Sequence, residues 1–334
     1  MQRVQHNNRG AFMKLRYFAT LAAASFLISA LPVHAQDYPT KPVRMIVPFA
    51  PGGGSDISAR TMTDAMGQAL GTTIVIDNRP GAGSVLGADI ASKSAPDGYT
   101  LFLGNISMAF NATLYKKLPF NAIRDFIPVS LATEQPNIIV AHPSLPAKNF
   151  KEFIALARSQ PGKLTYASAG LGSGTHLAME MLMMSQKMSL LHVPYKGTGP
   201  AVTALLGAET NVFMSTFASA LPHVKSNRLR GIAVTTKVRA APLPDVPTVQ
   251  ESGVPGFEYA TWYGILTPAG TPKPIVDKVN KAIVDTLNAP DMKARYARQG
   301  MDATPSTSAE FIKLLRDETD KWAKVVRAAK IPQQ

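Results

Sequence analysis

Two glycine-rich stretches hold the residues best placed to do chemistry: Pro51-Gly-Gly-Gly-Ser-Asp56 and Gly170-Leu-Gly-Ser-Gly-Thr-His176. Each follows a β-like run (Val43–Phe49; Leu164–Ser168) and precedes a helix-like run. A strand-to-helix turn without β-carbons lets backbone N–H groups point into a cavity. The helix N-terminus behind it adds partial positive charge. The pair reads as two halves that face one small anion.

Other chemistries fit less well. A nucleotide P-loop ends in Gly-Lys-Ser/Thr, whereas the first loop ends in Gly54-Ser55-Asp56, and its carboxylate would repel a polyphosphate. A single carboxylate could be held by the N–H groups while Asp56 caps the helix. A serine nucleophile elbow reads Gly-x-Ser-x-Gly, and Gly170-Leu-Gly-Ser-Gly174 does not match it. Ser173 and Thr175 therefore read as donors to a carboxylate or as caps of the following helix. His176 reads as a cap or a pocket wall, and His192 as a core residue. His142, His176, His192 and His223 show no ligand spacing, so no metal is expected. Tyr195-Lys-Gly-Thr-Gly-Pro200 is a third strand-to-helix turn, with Tyr195 and Gly199 as further candidates.

Alternating elements must position these loops. Strands are predicted at Val43–Phe49, Thr73–Asp77 and Thr100–Gly104, with helices near Ile57–Leu70 and Val85–Lys93. A second unit of the same style starts near Gln135-Pro136. Its strands are expected at Asn137–Ala141, Leu164–Ser168, Leu190–Tyr195, Asn211–Ser215 and Leu229–Thr236, and its helices at Phe150–Arg158, His176–Met188 and Pro200–Gly207. A proline-rich connector (Ala240–Pro247), a strand (Tyr259–Thr267) and helices at Pro272–Leu287, Asp291–Gln299 and Ser308–Ala329 complete the chain. The pattern predicts an α/β fold with mostly parallel sheets flanked by helices.

The 334 residues allow two domains, and 46% hydrophobic content excludes a disordered chain. Lys14 and Arg16, the apolar run Phe18–Leu31 and Val33-His-Ala35 read as a cleavable secretion signal, with Gln36 as the mature start and Met13 as an alternative initiator. The absence of cysteine excludes disulfides, thiol catalysis and cysteine-bound metal. Four of the basic residues (Arg3, Arg9, Lys14, Arg16) lie in that leader, which lowers the net charge from +13 to +9. The surplus suits an anionic ligand. Scattered basic residues and 7% aromatics argue against nucleic acid.

Further landmarks are Asn78-Arg-Pro-Gly-Ala-Gly83, Pro96-Asp-Gly-Tyr-Thr100, Asp125-Phe126, Tyr166-Ala-Ser-Ala-Gly170, His192-Val-Pro-Tyr-Lys-Gly197, Leu243-Pro-Asp-Val-Pro-Thr248, Trp262 and Trp322. With Val47–Asp56 they stand in an order that resembles the Bug family, the periplasmic substrate-binding proteins of tripartite tricarboxylate transporters. The resemblance covers about Tyr38 to Ile331. It implies a two-domain Venus-flytrap (type II-like periplasmic-binding-protein) fold, with 36–135 plus 259–334 as domain one and 136–258 as domain two. It implies a monomeric, non-enzymatic receptor without cofactor, which captures a small carboxylate and presents it to membrane permease subunits. A sensory receptor and, more remotely, an exported serine hydrolase are the rival classes. The ligand set carried over is Phe49, Pro51, Gly52, Gly53, Gly54, Ser55, Asp56, Gly170, Gly172, Ser173, Thr175, His176, Tyr195, Gly199 and Ser215. Where many members carry Asp, this chain has Ser215, which points to a carboxylate without an ammonium group.

Overall fold

The computed structural model describes residues 38–328 and 333. The expected leader at 1–35 lies outside the described residues. No helix among them is long and apolar enough to cross a membrane.

Short apolar runs make the first strands. β1 (Val43–Val47) lies between β2 (Ile74–Asn78) and β3 (Thr100–Asn105), parallel to both. β1 and β3 are buried, and β2 is on the sheet's edge. Between them run α1 (Gly54–Leu70), which ends on the left-handed Gly71, and α2 (Val85–Ser92). β3 leads into α3 (Ser107–Leu114). β4 (Phe126–Ala141) then carries the chain across.

β4 is a 16-residue strand where sequence periodicity predicts a strand only from Asn137. Pro128 and Pro136 interrupt the apolar alternation, and a proline cannot donate to a ladder. The structure accommodates Pro128 beside an irregularity in the register. Pro136 pairs with Ala260, and the next residue, Asn137, pairs with Thr216. At that point β4 leaves one group of strands for another.

The later strands are β5 (Thr165–Ser168), β6 (Leu191–Pro194), β7 (Val212–Thr216) and β8 (Arg230–Val234). β5 pairs in parallel with β6 and β7, and the end of β4 runs antiparallel to β7 and β8. Helices α4 (Phe150–Ser159), α5 (Gly174–Ser185), α6 (Thr198–Leu206) and α7 (Phe217–Lys225) connect them. The chain returns through β9 (Ala260–Pro268), antiparallel to both β3 and the first part of β4. It ends with α8 (Lys273–Asn288), α9 (Pro290–Arg298), the short β10 (Asp302–Ala303) against β4, and α10 (Ser308–Ala328). The strand order β2-β1-β3-β9-β4-β7-β5-β6 is therefore mixed. Its parallel pairs flank a central antiparallel pair that carries the chain out and back.

Where β4 and β9 cross between the two groups of strands, side chains fix Asn137. Asn137 N–H donates to Thr235 Oγ1 at 2.9 Å, and Thr261 Oγ1 donates to Asn137 Oδ1 at 2.7 Å. Aromatic packing fills the space around β9: Trp262 meets Phe311 edge-on at 5.6 Å, and Phe102 stacks on Phe126 at 5.4 Å.

Candidate functional site

The first glycine loop is held from behind by Asp56. Its Oδ2 accepts the Gly52 N–H at 3.0 Å and Arg60 Nε at 2.9 Å, and its Oδ1 accepts Asn78 Nδ2 at 3.1 Å. Asn78 Nδ2 also reaches Phe49 O at 2.9 Å. Burial alone would push the Asp56 carboxyl up, but the bonds from Arg60, Gly52 and Asn78 outweigh it and hold it below the usual carboxylate range. The carboxylate thus fixes the loop from behind. Asp56→Asn places an amide against these donors and is expected to cost about 1–2 kcal/mol in chemical denaturation.

This leaves the α1 N-terminus without a side-chain cap. Gly53, its N-cap residue, has none to offer. The same holds at α6 (N-cap Gly197). The N-cap residues of α7 (Thr216) and α3 (Ile106) make no cap either, although side chains from elsewhere reach the first turns: Gln135 Oε1 accepts the Ala218 N–H at 3.0 Å and Asn105 Oδ1 the Ser107 N–H. At α5, Ser173 Oγ accepts the His176 N–H at 3.3 Å. These five N-termini converge on one enclosed cavity of about 20 Å³. Ser55 lines it from α1, Asn105 and Ile106 from the start of α3, Ser173, Gly174 and Thr175 from α5, Thr198 from α6 and Thr216 from α7. Phe49, Ala169, Thr261 and Tyr263 complete the wall. No charged side chain is among them.

Asn105 is the most informative wall residue. It is 3% exposed, and its Oδ1 accepts the Ser107 N–H at 2.9 Å. Its Nδ2 has no partner among the described residues. A buried amide donor without an acceptor is costly, so its place in a cavity wall marks a ligand position. Tyr263 accepts from Gln135 Nε2 at 3.3 Å and keeps its own proton to give.

The facing loops touch. Ala50 N–H donates to Lys196 O at 3.0 Å, and Tyr115 Oη lies 3.0 Å from Ala82 O and 3.2 Å from Leu171 O. A β-carbon on Gly53 would stand 3.4 Å from Thr198 Cβ, and one on Gly199 would collide with Pro51 O.

Of the candidate residues, Phe49, Ser55, Ser173 and Thr175 line the cavity together. Gly54 adjoins it, since a β-carbon there would meet Gln135, Tyr263 and Thr216. Pro51, Gly52, Tyr195 and Gly199 border a separate outer groove of about 600 Å³. Ser215 is fully buried, and its Oγ donates to Thr216 O. Gly170 and Gly172 shape the second loop: Gly170 N–H donates to Ser168 Oγ at 3.0 Å, and Gly172 N–H to His176 Nδ1 at 3.4 Å. His176 stacks on His192 at 4.4 Å, and His192 on Tyr166 at 4.7 Å. Burial, with His192 alongside, pulls the His176 pKa down to about 3. Both histidines read as the wall behind the loop.

Thr198 belongs to the third turn that the sequence marks, whereas Asn105, Thr216, Thr261 and Tyr263 escape the sequence reading. Asn105 had a signal, since it ends a strand at a turn, as both glycine loops do. Only the single Gly104 precedes it, in place of a glycine-rich run, and the helix behind it mixes apolar residues with Ser107, Asn111 and Thr113.

Comparison with known proteins bears on this architecture. The chain matches the tripartite tricarboxylate transporter family receptor over residues 58–331. It is 36% identical over 303 residues to Protein BugT of Bordetella pertussis, which covers 89% of this chain and 92% of that protein. Among solved structures it is similar to the periplasmic binding protein BugD, at 33% identity and a TM-score of 0.87 over 89% of this chain and 100% of that one. It is also similar to MatC from Rhodopseudomonas palustris, solved with bound malate, at 34% identity and a TM-score of 0.83 over 86% and 100%.

Proposed function

Because this chain belongs to the tripartite tricarboxylate transporter receptor family, a family of periplasmic solute-binding receptors, we propose that its cleft captures a small carboxylate without an ammonium group and presents it to a tripartite permease. The observation that carries this reading is the convergence of five helix N-termini on an uncharged, hydroxyl-lined cavity. Such a site attracts negative charge without any cationic side chain. It offers an ammonium group no carboxylate, since none lines it and the nearby Asp56 is already satisfied. Malate in MatC agrees in chemical class.

Binding without catalysis is the better reading. Ser173 Oγ is engaged with Thr175 Oγ1 at 3.1 Å and with the His176 N–H, and no histidine lines the cavity. The Ser168–His192 pair at 2.6 Å has a serine that is fully buried.

Capture requires motion. About 20 Å³ holds little more than a water molecule, so the facing loops must part to admit an organic acid. The lobes that part are 36–135 with 259–334, and 136–258. Their hinge is β4 near Asn137 together with the return into β9. Charge-assisted hydrogen bonds contribute about 1.5–3 kcal/mol each, against association costs of about 4–15 kcal/mol. One lobe alone binds weakly, and closure supplies the rest. The receptor acts as a monomer, delivered by a cleaved leader at 1–35.

Calorimetry with malate and aspartate tests the proposal, because the two differ by an ammonium in place of a hydroxyl. Malate is expected to bind at about micromolar Kd, with aspartate at least about tenfold weaker. Asn105→Ala is expected to weaken malate by about tenfold. Equal affinity for both acids would remove the ligand assignment.

A further inference from the structure

Both tryptophans of the chain line one cavity of about 410 Å³, and neither lines the cleft described above. Its walls come from β4, the segment 256–260 that leads into β9, and α10. Three carboxylates face it: Glu134, Glu258 and Glu318. Two of them are committed. Glu318 accepts the Trp322 indole N–H at 2.6 Å and Lys321 Nζ at 2.9 Å, and Glu258 pairs with Lys237 at 3.1 Å.

Glu134 has no such partner among the described residues. Glu134 is exposed at the rim of the cavity, beside Lys321 in the same lining. Partial desolvation there pushes its carboxyl up, and Asp302, Glu318 and Glu258 push the same way, with Lys321 a partial offset. One polar group in the wall is buried and unsatisfied. Trp262 is 6% exposed, and its indole N–H has no acceptor among the described residues. Trp262 stands directly opposite Glu134 in the β4–β9 ladder, so both side chains project from the same face of the sheet.

The chemistry of the occupant follows from an unpaired carboxylate at the rim and an unsatisfied indole N–H in the wall. Glu134 calls for positive charge and Trp262 for a neutral acceptor. Among the described residues, no three acidic or histidine side chains stand close enough to share a metal ion. The charge must therefore be carried by an organic body, and the volume lies within the range of small-molecule sites. The geometry points to a second binding site, for a small alkylammonium compound that carries a hydroxyl or carbonyl oxygen. Its ammonium pairs with Glu134, its oxygen accepts from Trp262, and its methylene stem lies along the aromatic wall.

Tryptophan fluorescence of the whole protein reads this cavity directly, because both indoles lie in its wall. The probe is 4-aminobutan-1-ol, with butane-1,4-diol as the uncharged comparison at matched ionic strength. The amine is expected to give a saturable change, and the diol to bind at least about tenfold more weakly. Glu134→Gln keeps the shape and removes the charge, and is expected to weaken the amine by at least about tenfold. Trp262→Phe keeps a ring without the N–H, and is expected to weaken it several-fold while Trp322 still reports. Equal responses to amine and diol, no saturation up to about 50 mM, or an unchanged response in Glu134→Gln would overturn the proposal. The wild-type comparison of amine with diol decides the matter even if a variant fails to fold. Malate binding at the cleft is a separate measurement.

Discussion

Gly199→Val is expected to lower carboxylate affinity by at least about 100-fold, near 2.7 kcal/mol, while the unliganded protein stays folded. Gly199 is the second residue of α6, and it has an ordinary helical backbone that accepts any residue. The obstacle lies across the cleft. A β-carbon at this position would run into Pro51 O and the Gly52 carbonyl carbon, both in the first glycine loop. The branched side chain therefore wedges α6 away from α1 and separates the N-termini that must act on one anion. Gly53 is a gentler position, because its β-carbon would meet Thr198 and Gly199 at 3.4–3.6 Å, close to ordinary contact. Calorimetry gives the affinity, and small-angle scattering shows whether the variant stays open when ligand is added. Unchanged affinity in Gly199→Val would mean that the loops do not close on the ligand.

The contrast between these glycines shows what a sequence can and cannot carry. That both loops turn from strand to helix is visible in the local pattern, because glycine punctuation and apolar runs are properties of a few neighbouring residues. Which loop each one faces is a long-range property. The first loop packs against Lys196–Gly199, and the second against Gly83. The wall residues are harder still. Thr216, Thr261 and Tyr263 belong to strands whose buried, hydroxyl-bearing pattern resembles any β-core, and only the crossing of β4 and β9 brings them under the α1 N-terminus. The same crossing hid the first half of β4, since its prolines argue locally against the strand that its pairing with β9 imposes. Asp56 shows a different limit. Its place in the turn is legible, but its orientation depends on Asn78 and Arg60, and Asn78 lies a whole strand further along the chain.

Acid is expected to lower the stability of the fold well before it protonates the carboxylates that hold the first glycine loop. His176 is 5% exposed and neutral in the fold, with its Nδ1 placed to accept the Gly172 N–H. Its pKa is pulled down to about 3 by burial, and the stacked His192 is pulled down to about 4 by the same cause. An unfolded histidine titrates near 6.5. Between these values the unfolded chain binds more protons than the folded one, so stability rises with pH. The full contribution is present above about pH 6.5 and is lost progressively as pH falls towards the folded pKa. For His176 alone the loss at pH 4.5 is about 2–3 kcal/mol. Asp56 and Asp77, whose carboxyls are held below their usual range, lose their contribution only at still lower pH. His223 is also lowered, by burial and then by Arg228, so a variant must separate the sources. Urea denaturation at pH 7.5, 6.0 and 4.5 measures the slope, and His176→Asn, whose amide oxygen can still accept the Gly172 N–H, should flatten it. A slope unchanged by that substitution would place the acid sensitivity elsewhere. Nδ1 itself stays an acceptor in the fold until pH nears about 3, where its protonation turns the acceptor of Gly172 into a donor and the loop that carries Ser173 and Thr175 loses its anchor. Stability is therefore expected to fall across the window while the folded protein keeps its ligand affinity, which drops only near its lower end.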